Sequence, residues 1–389
     1  MKAIINGIIL TPHDEIRGKA LLFDDEFRGI VEPENISNQD SDVIDAEGLY
    51  VAPGLIDVHV HGYLGEDTSD GSEEGVRIIA EGLLANGVTS FLPTTMTVSW
   101  KEIEAALDVV RRLMPESRTQ GFPGAEIIGC HAEGPFINPE RKGAQAAEHI
   151  LPPRADLILP HRDVIRLITM APEMDGGLQF IREVTSQSDI AVSIGHSSAD
   201  YDLALQAIKV GASHITHLFN AQTALNHRNP GIVGAALTND VYTELIADTF
   251  HVHQGLFGML YHVKQGYLVL ITDCTRAGGQ PDGVYSLGGQ PIYVKGIECR
   301  LQDGTIAGSV LKLNEAVRNL HVFGKVPLPA AIHAASLSAA RSIGVQNRKG
   351  SIEGGKDADF ILIDEKCHVF STFVRGIRKY KKERQASQS

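Results

Sequence analysis

Gly54-Leu55-Ile56-Asp57-Val58-His59-Val60-His61-Gly62 is an apolar run that ends on two imidazoles. Near-continuous apolar runs are what parallel strands buried on both faces require. Side chains alternate faces along a strand, so His59 and His61 point the same way. Comparable runs recur at residues 87–95, 126–134, 165–172, 190–196, 212–220, 243–251 and 268–273, which makes eight. Most are followed by a stretch of helical period, for example 72–86, 101–113, 199–210 and 314–320. Eight such units between residues 54 and 346 predict an α/β fold, a (β/α)8 TIM-like barrel, at a length ordinary for that architecture. A doubly wound open sheet is the rival. No Gly-x-Gly-x-x-Gly turn follows the first strand, and no Walker-type phosphate loop is present.

Outside the barrel the pattern changes. Residues 3–10, 20–23 and 43–46 look like short strands separated by Gly, Pro and acidic turns. At the other end, 350–356 is turn-rich, 358–363 reads as a strand and 368–375 as another. The two ends are expected to pair into one small β-sandwich domain of residues 1–53 plus 347–389, with 54–346 as the catalytic barrel.

The 389 residues carry 35 basic and 48 acidic side chains, a net charge of −13, which argues against a nucleic-acid binder. The basic cluster 379–384, beside a Ser/Gln-rich tail, reads as a frayed end. Cys130, Cys274, Cys299 and Cys367 stand far apart without a Cys-x-x-Cys pair, so reduced thiols are expected rather than a disulfide framework or a zinc ribbon. The apolar stretch 3–10 is short, is broken by Asn6 and Gly7, and lacks a cleavage site, so it is not read as a signal peptide. No window approaches the roughly 18 apolar residues of a membrane span. A cytoplasmic protein without membrane partners is expected.

Barrel chemistry sits at the C-terminal ends of the strands. Those ends hold His59 and His61, then His131 and Glu133, His196, His217, His251, and Asp273. Each alone has an ordinary reading: a lone His is a satisfied strand end, Asp273 a helix cap, Glu133 a turn residue before Gly-Pro. Together they would repel when charged and lack partners when buried. A divalent cation satisfies all of them, and imidazole with carboxylate suits zinc or iron. His214 lies three residues before His217 on the opposite face and reads as packing, as do His149, His161 and His262. His253 shares parity with His251 but lies past the strand.

These residues resemble the amidohydrolase superfamily, from the run 51–62 to the closing Gly350-Ser351-Ile352-Glu353-Gly354-Gly355-Lys356-Asp357-Ala358-Asp359-Phe360. Within it the chain resembles the branch that removes acetyl from N-acetylglucosamine 6-phosphate. The stretches specific to that branch are His131-Ala132-Glu133-Gly134-Pro135-Phe136, His217-Leu218-Phe219-Asn220-Ala221 and Arg228-Asn229-Pro230-Gly231. Thr272-Asp273 and Thr305-Ile306-Ala307-Gly308-Ser309 complete the set. The resemblance implies that Glu133, His196 and His217 hold a metal. It also implies that His59 and His61 complete a second site bridged by Glu133, giving one or two divalent ions per subunit. Asp273 matches the catalytic aspartate. The chemistry also stands without the resemblance. A metal lowers the pKa of bound water from about 16 towards 7, so the expected nucleophile is metal-bound hydroxide. A carboxylate then takes its proton and delivers it to the leaving amine. For the oxyanion, the resemblance brings His251 and Gln145 into consideration.

The resemblance further implies substrate contacts from Ala144, Asn220, Ala221, His251, Ile306, Ala307 and Gly308, and from Arg228, whose planar fork suits phosphate. In relatives the Arg228 loop reaches the neighbouring subunit, so a homodimer is expected. An acidic protein binding a dianion needs such local positive groups. Ala132, Gln222 and Cys274 depart from the commoner residues. Two alternatives stay open: action on another N-acyl amino sugar or a cyclic amide, and a non-catalytic scaffold barrel. A scaffold would be expected to lose ligands, whereas all six candidate metal and catalytic positions are occupied by competent side chains.

Overall fold

The structure, a computed structural model, describes residues 1–12, 14–36 and 42–382. Eight parallel strands form its centre: Leu55–Val60, Val88–Thr95, Cys130–Glu133, Ile165–Met170, Ala191–Ile194, His214–Ile215, Tyr242–Ile246 and Leu268–Ile271. Each pairs with the next in chain order. Just past the last strand the backbone closes on the first. Val60 bridges Cys274, and the Asp273 N–H donates to the His59 carbonyl at 2.8 Å. All eight apolar runs are therefore barrel strands. The first two are buried along their whole length, as continuous hydrophobic strands between a filled barrel and a helical ring must be.

Helices follow where the period changes. Glu73–Leu83 starts at Ser72, whose hydroxyl accepts from the Gly75 N–H. Trp100–Ser117 starts with a capping box in which Ser99 and Glu102 satisfy each other's backbone donors. Their apolar faces, including Val76, Ile79, Ile103 and Leu107, pack into the same core as the barrel strands. No helix of the described residues is long and apolar enough to cross a membrane.

The two chain ends build two further sheets, one of four strands and one of six. The stretch 3–10, expected as one strand, is divided. Asn6 takes φ 56°, so Lys2–Ile5 joins the first sheet and Ile8–Leu10 the second. Phe23, Phe27, Phe360 and Phe373 fill the space between the sheets, with Phe360 and Phe373 stacked at 4.2 Å. The basic cluster is not simply a frayed end. Ile377–Lys381 is a strand, and Lys379 Nζ donates to the Phe122 carbonyl at 2.6 Å; residues 383–389 lie outside the described part. Lys379 Nζ also lies 3.3 Å from the Gly124 carbonyl, a pair of partners that composition did not announce.

Two connections matter for the site. Lys349, 1% exposed, joins Glu126 at 2.6 Å and Asp359 at 2.5 Å, and so ties the segment before the third barrel strand to the terminal sheets. A three-stranded meander, Gly283–Leu287, Gln290–Lys295 and Glu298–Arg300, intervenes between the eighth strand and helix Leu313–Gly324. Its Gln290 amide donates to the Ala144 carbonyl at 2.8 Å, so it overlies the barrel mouth.

Candidate active site

Three of the polar strand ends leave the barrel through a left-handed bend. His196, His217 and Asp273 have φ of 48°, 28° and 51°. Such values cost a non-glycine residue strain and persist where the surroundings hold them. Here they are held. The His217 N–H donates to Glu244 Oε2 at 3.1 Å, and its carbonyl accepts from the Asn220 and Gln222 amides. Asp273 is fixed by His59 on one side and by the Ser309 N–H on the other. The bends bring side chains from separate strands to one point near the barrel axis.

Glu133 is at that point. Its Oε1 lies 3.3 Å from His59 Nε2 and 3.2 Å from each of His196 Nε2 and His217 Nε2. Its Oε2 lies 3.3 Å from His61 Nε2. Asp273 Oδ1 is 3.2 Å from His61 Nε2 and 3.6 Å from His59 Nε2. His59 and His61 thus face the same way, as strand alternation requires.

Three of these histidines share one arrangement. Nδ1 of His59 meets Glu244 Oε2 at 3.0 Å, that of His61 the Thr94 carbonyl at 3.2 Å, and that of His196 the Arg141 carbonyl at 2.8 Å. A carbonyl or carboxylate oxygen can only accept, so each Nδ1 carries the proton. In the neutral ring each Nε2 then presents a lone pair to the centre. Lone pairs aimed at carboxylate oxygens repel unless positive charge lies between them. His59 Nε2, buried and 3.3 Å from Glu133, has no hydrogen-bond partner among the described residues. The donor set fits a divalent cation, which this arrangement of outward-anchored imidazoles serves. His59, His61 and Glu133 form one group whose ligand atoms lie within 4.8 Å of one another, and Glu133, His196 and His217 form a second.

Without a cation the same charge demand falls on protons. Burial pulls the His61 pKa down, but Asp273 and Glu133 outweigh it and push it up to about 9. Burial likewise opposes the charged form of Glu133, yet His59 and His196 hold its carboxyl well below the usual range. Asp273 behaves similarly: burial raises its pKa, and the neighbouring His59 and His61 more than reverse this.

Above the cluster opens a cavity of about 380 Å³, the scale of a small-molecule site. Of the residues expected from sequence, His61, Glu133, Ala144, His196, His217, Asn220, Ala221, His251, Asp273, Ile306 and Gly308 line it. His59 lies beneath the lining and is wholly buried, as is Ala307. Arg228 is exposed on the loop closed by the Asn226–Asn229 bridge and does not line this cavity. His251 is anchored by Asp248 Oδ2 at 2.6 Å. Both ends of the Gln145 amide are occupied: the nitrogen donates to Glu133 Oε2, and the oxygen accepts from the Thr97 N–H at 2.7 Å. This makes Gln145 a support for Glu133 rather than a free oxyanion donor. His131 lies within the barrel on Thr169, and His214 packs against Tyr242. His253 caps the short helix beginning at Gln254.

Sequence reasoning passed over Arg141 at the rim, Asp57, Asp248 and Glu244. Asp57 is fully buried. Burial pushes its pKa up to about 7 against hydrogen bonds from Thr272 and the His59 N–H. Glu244 is an acidic residue inside the buried strand Tyr242–Ile246, and that interruption of an apolar run was the available signal.

An amidohydrolase family model matches residues 50–379. The N-acetylglucosamine-6-phosphate deacetylase of Bacillus subtilis (strain 168) is 42% identical over 330 residues, 83% of each chain. The N-acetylgalactosamine-6-phosphate deacetylase of Escherichia coli O157:H7 is 36% identical, across 86% of this chain and 89% of its own. The crystal structure of the N-acetylglucosamine-6-phosphate deacetylase from Pasteurella multocida superposes with a TM-score of 0.91 at 32% identity. It covers 96% of this chain and 98% of its own.

Proposed function

This chain belongs to the amidohydrolase family, and on that premise we propose that its barrel mouth hydrolyses the N-acetyl group of N-acetylglucosamine 6-phosphate to glucosamine 6-phosphate and acetate. The observation that carries the reading is the convergence of four imidazole Nε2 atoms on one carboxylate, Glu133, with Asp273 alongside. Glu133, His196 and His217 would hold one ion, and His59 with His61 and Glu133 a second; zinc and iron suit these donors. When bound, a divalent ion supplies Lewis acidity that makes water a nucleophile near neutral pH and polarises the acetyl carbonyl. Asp273 accepts the proton of the attacking water and returns it to the amine nitrogen, which leaves poorly as an anion. His251, oriented by Asp248 through Nδ1, presents Nε2 to the cavity as an acceptor for a sugar hydroxyl. Asn220, Ala221, Ala144 and the Ile306-Ala307-Gly308 segment shape the walls around the sugar.

Phosphate recognition is assigned to Arg228 acting across a homodimer. Support comes from its exposure on a loop outside its own cavity, where a fork of donors is free to reach a neighbouring mouth. Residues 1–53 with 347–389 are taken as the unit that buttresses the catalytic barrel, 54–346. Four buried, unpaired cysteines support a reducing, cytoplasmic setting.

Acetate release from the phosphosugar, measured alongside the metal content of freshly purified protein, tests the proposal. Release should follow metal content and should be far slower with the unphosphorylated sugar. Equal rates on both sugars would remove the phosphate assignment, and metal-free protein at full rate would remove the mechanism. The 4-epimer, N-acetylgalactosamine 6-phosphate, is the informative competitor; a higher kcat/KM on it would change the substrate.

A further inference from the structure

Glu244 is a wholly buried carboxylate in the seventh barrel strand, between Thr243 and Leu245. One of its oxygens has two partners. Oε2 accepts from His59 Nδ1 at 3.0 Å and from the main-chain N–H of His217 at 3.1 Å. The first contact reaches the opening strand of the barrel, the second the bend after the sixth. Among the described residues the other oxygen, Oε1, has no hydrogen-bond partner, and neither has the nearby buried His131 Nδ1. His59, His131 and Glu244 are close enough to enclose a cation themselves. The His59–Glu244 contact, however, is of hydrogen-bond length, so that edge of the group already holds a proton.

We propose that Glu244 is a positioning residue that couples the two halves of the ligand set, fixing the ring of His59 and the backbone of His217 through a single oxygen atom. The inference rests on the metal reading given above and deepens it. A carboxylate can only accept, so it commits His59 to the tautomer whose Nε2 lone pair faces Glu133. The same oxygen holds the N–H of His217, whose φ of 28° is unfavourable without such a restraint. A ligand that turned freely would lose much of its hold on an ion, which is why anchoring partners of metal-binding histidines matter for affinity. Glu244 touches neither the cavity nor the reacting atoms, and its effect passes through His59 and His217.

The test is metal binding by the full-length protein, read by competition with a chelator and by the visible spectrum of the cobalt-substituted form. Glu244→Leu removes the acceptor of both donors, whereas Glu244→Gln keeps an amide oxygen that can accept from both and serves as the conservative control. Glu244→Leu should weaken binding of the ion at His59 and His61 by about 10–100-fold and shift the cobalt spectrum, and Glu244→Gln should restore most of both. The coupling is read in a His59→Ala background, where Glu244→Leu should still weaken the remaining ion through the His217 backbone. Wild-type-like affinity and an unaltered spectrum in Glu244→Leu would overturn the proposal while leaving the metal reading intact. No further weakening in the His59→Ala background would overturn the coupling. A wild-type chain that binds no ion would overturn both readings together.

Discussion

His196 Nε2 and His217 Nε2 face each other at 3.1 Å, and each is 3.2 Å from the same oxygen of Glu133. Two ring nitrogens this close need a cation or a shared proton between them. Removing metal with a chelator should therefore abolish turnover and lower the melting temperature, and zinc or iron should restore both. An ion held at 1,000 times its dissociation constant contributes about 4 kcal/mol to the folded state. Calorimetry of chelated and reloaded protein checks this. Coincident melting curves would show that no ion is held there.

Asp273 lies close enough to His61 to be either a ligand or a proton carrier. Asp273→Asn should lower kcat by roughly 10²–10⁴-fold, the usual scale of general acid–base catalysis, while metal content stays intact. Elemental analysis beside steady-state kinetics separates the roles. Loss of an ion in the variant would make Asp273 chiefly a ligand.

Arg228 is exposed and does not line its own cavity. Arg228→Ala should raise KM for the phosphosugar much more than it lowers kcat, since the lost contact would hold substrate and transition state alike. Mixing Arg228→Ala with Asp273→Asn should then restore activity at one mouth of a mixed dimer. An unchanged KM would place the phosphate elsewhere.

Lys349 is buried among Glu126, Asp357 and Asp359. Lys349→Met leaves these acids without their central cation, and removal of one partner from a buried ionic group costs about 3–5 kcal/mol. Urea denaturation should show the loss. A change below about 1 kcal/mol would mean that Arg348, which also reaches Glu126 and Asp357, neutralises the group by itself.

Burial without a compensating carboxylate pulls the His214 pKa from 6.5 down to about 3. Between those values the unfolded chain binds a proton that the folded chain does not. Stability is therefore undiminished by this group above pH 6.5 and declines as pH falls towards 3. His214→Asn should make that decline shallower. Denaturation curves at about pH 7 and about pH 5 measure it, and equal losses in both proteins would refute the assignment.

The barrel was legible because burial on both faces leaves a direct mark: eight apolar runs, six of them ending in the reactive groups of the mouth, became its eight strands. Strand alternation likewise placed His59 beside His61. Other features left fainter marks. Asn6 divides one apolar stretch between two sheets through a single backbone angle, and Lys379 found carbonyl partners where composition suggested a loose end. The meander above the mouth follows the eighth strand with a mixture of exposed and buried residues that has no barrel counterpart.

What the sequence by itself determined is the architecture and the inventory of reactive groups at the strand ends, because hydrophobic periodicity and side-chain alternation are local properties. What tertiary structure alone decided is which nitrogen of His59, His61 and His196 faces inward. Nδ1 is claimed by Glu244, Thr94 or Arg141, residues distant in the chain that meet the rings only when the barrel closes. Tautomer and ring orientation follow from those contacts, and no spacing along the chain records them.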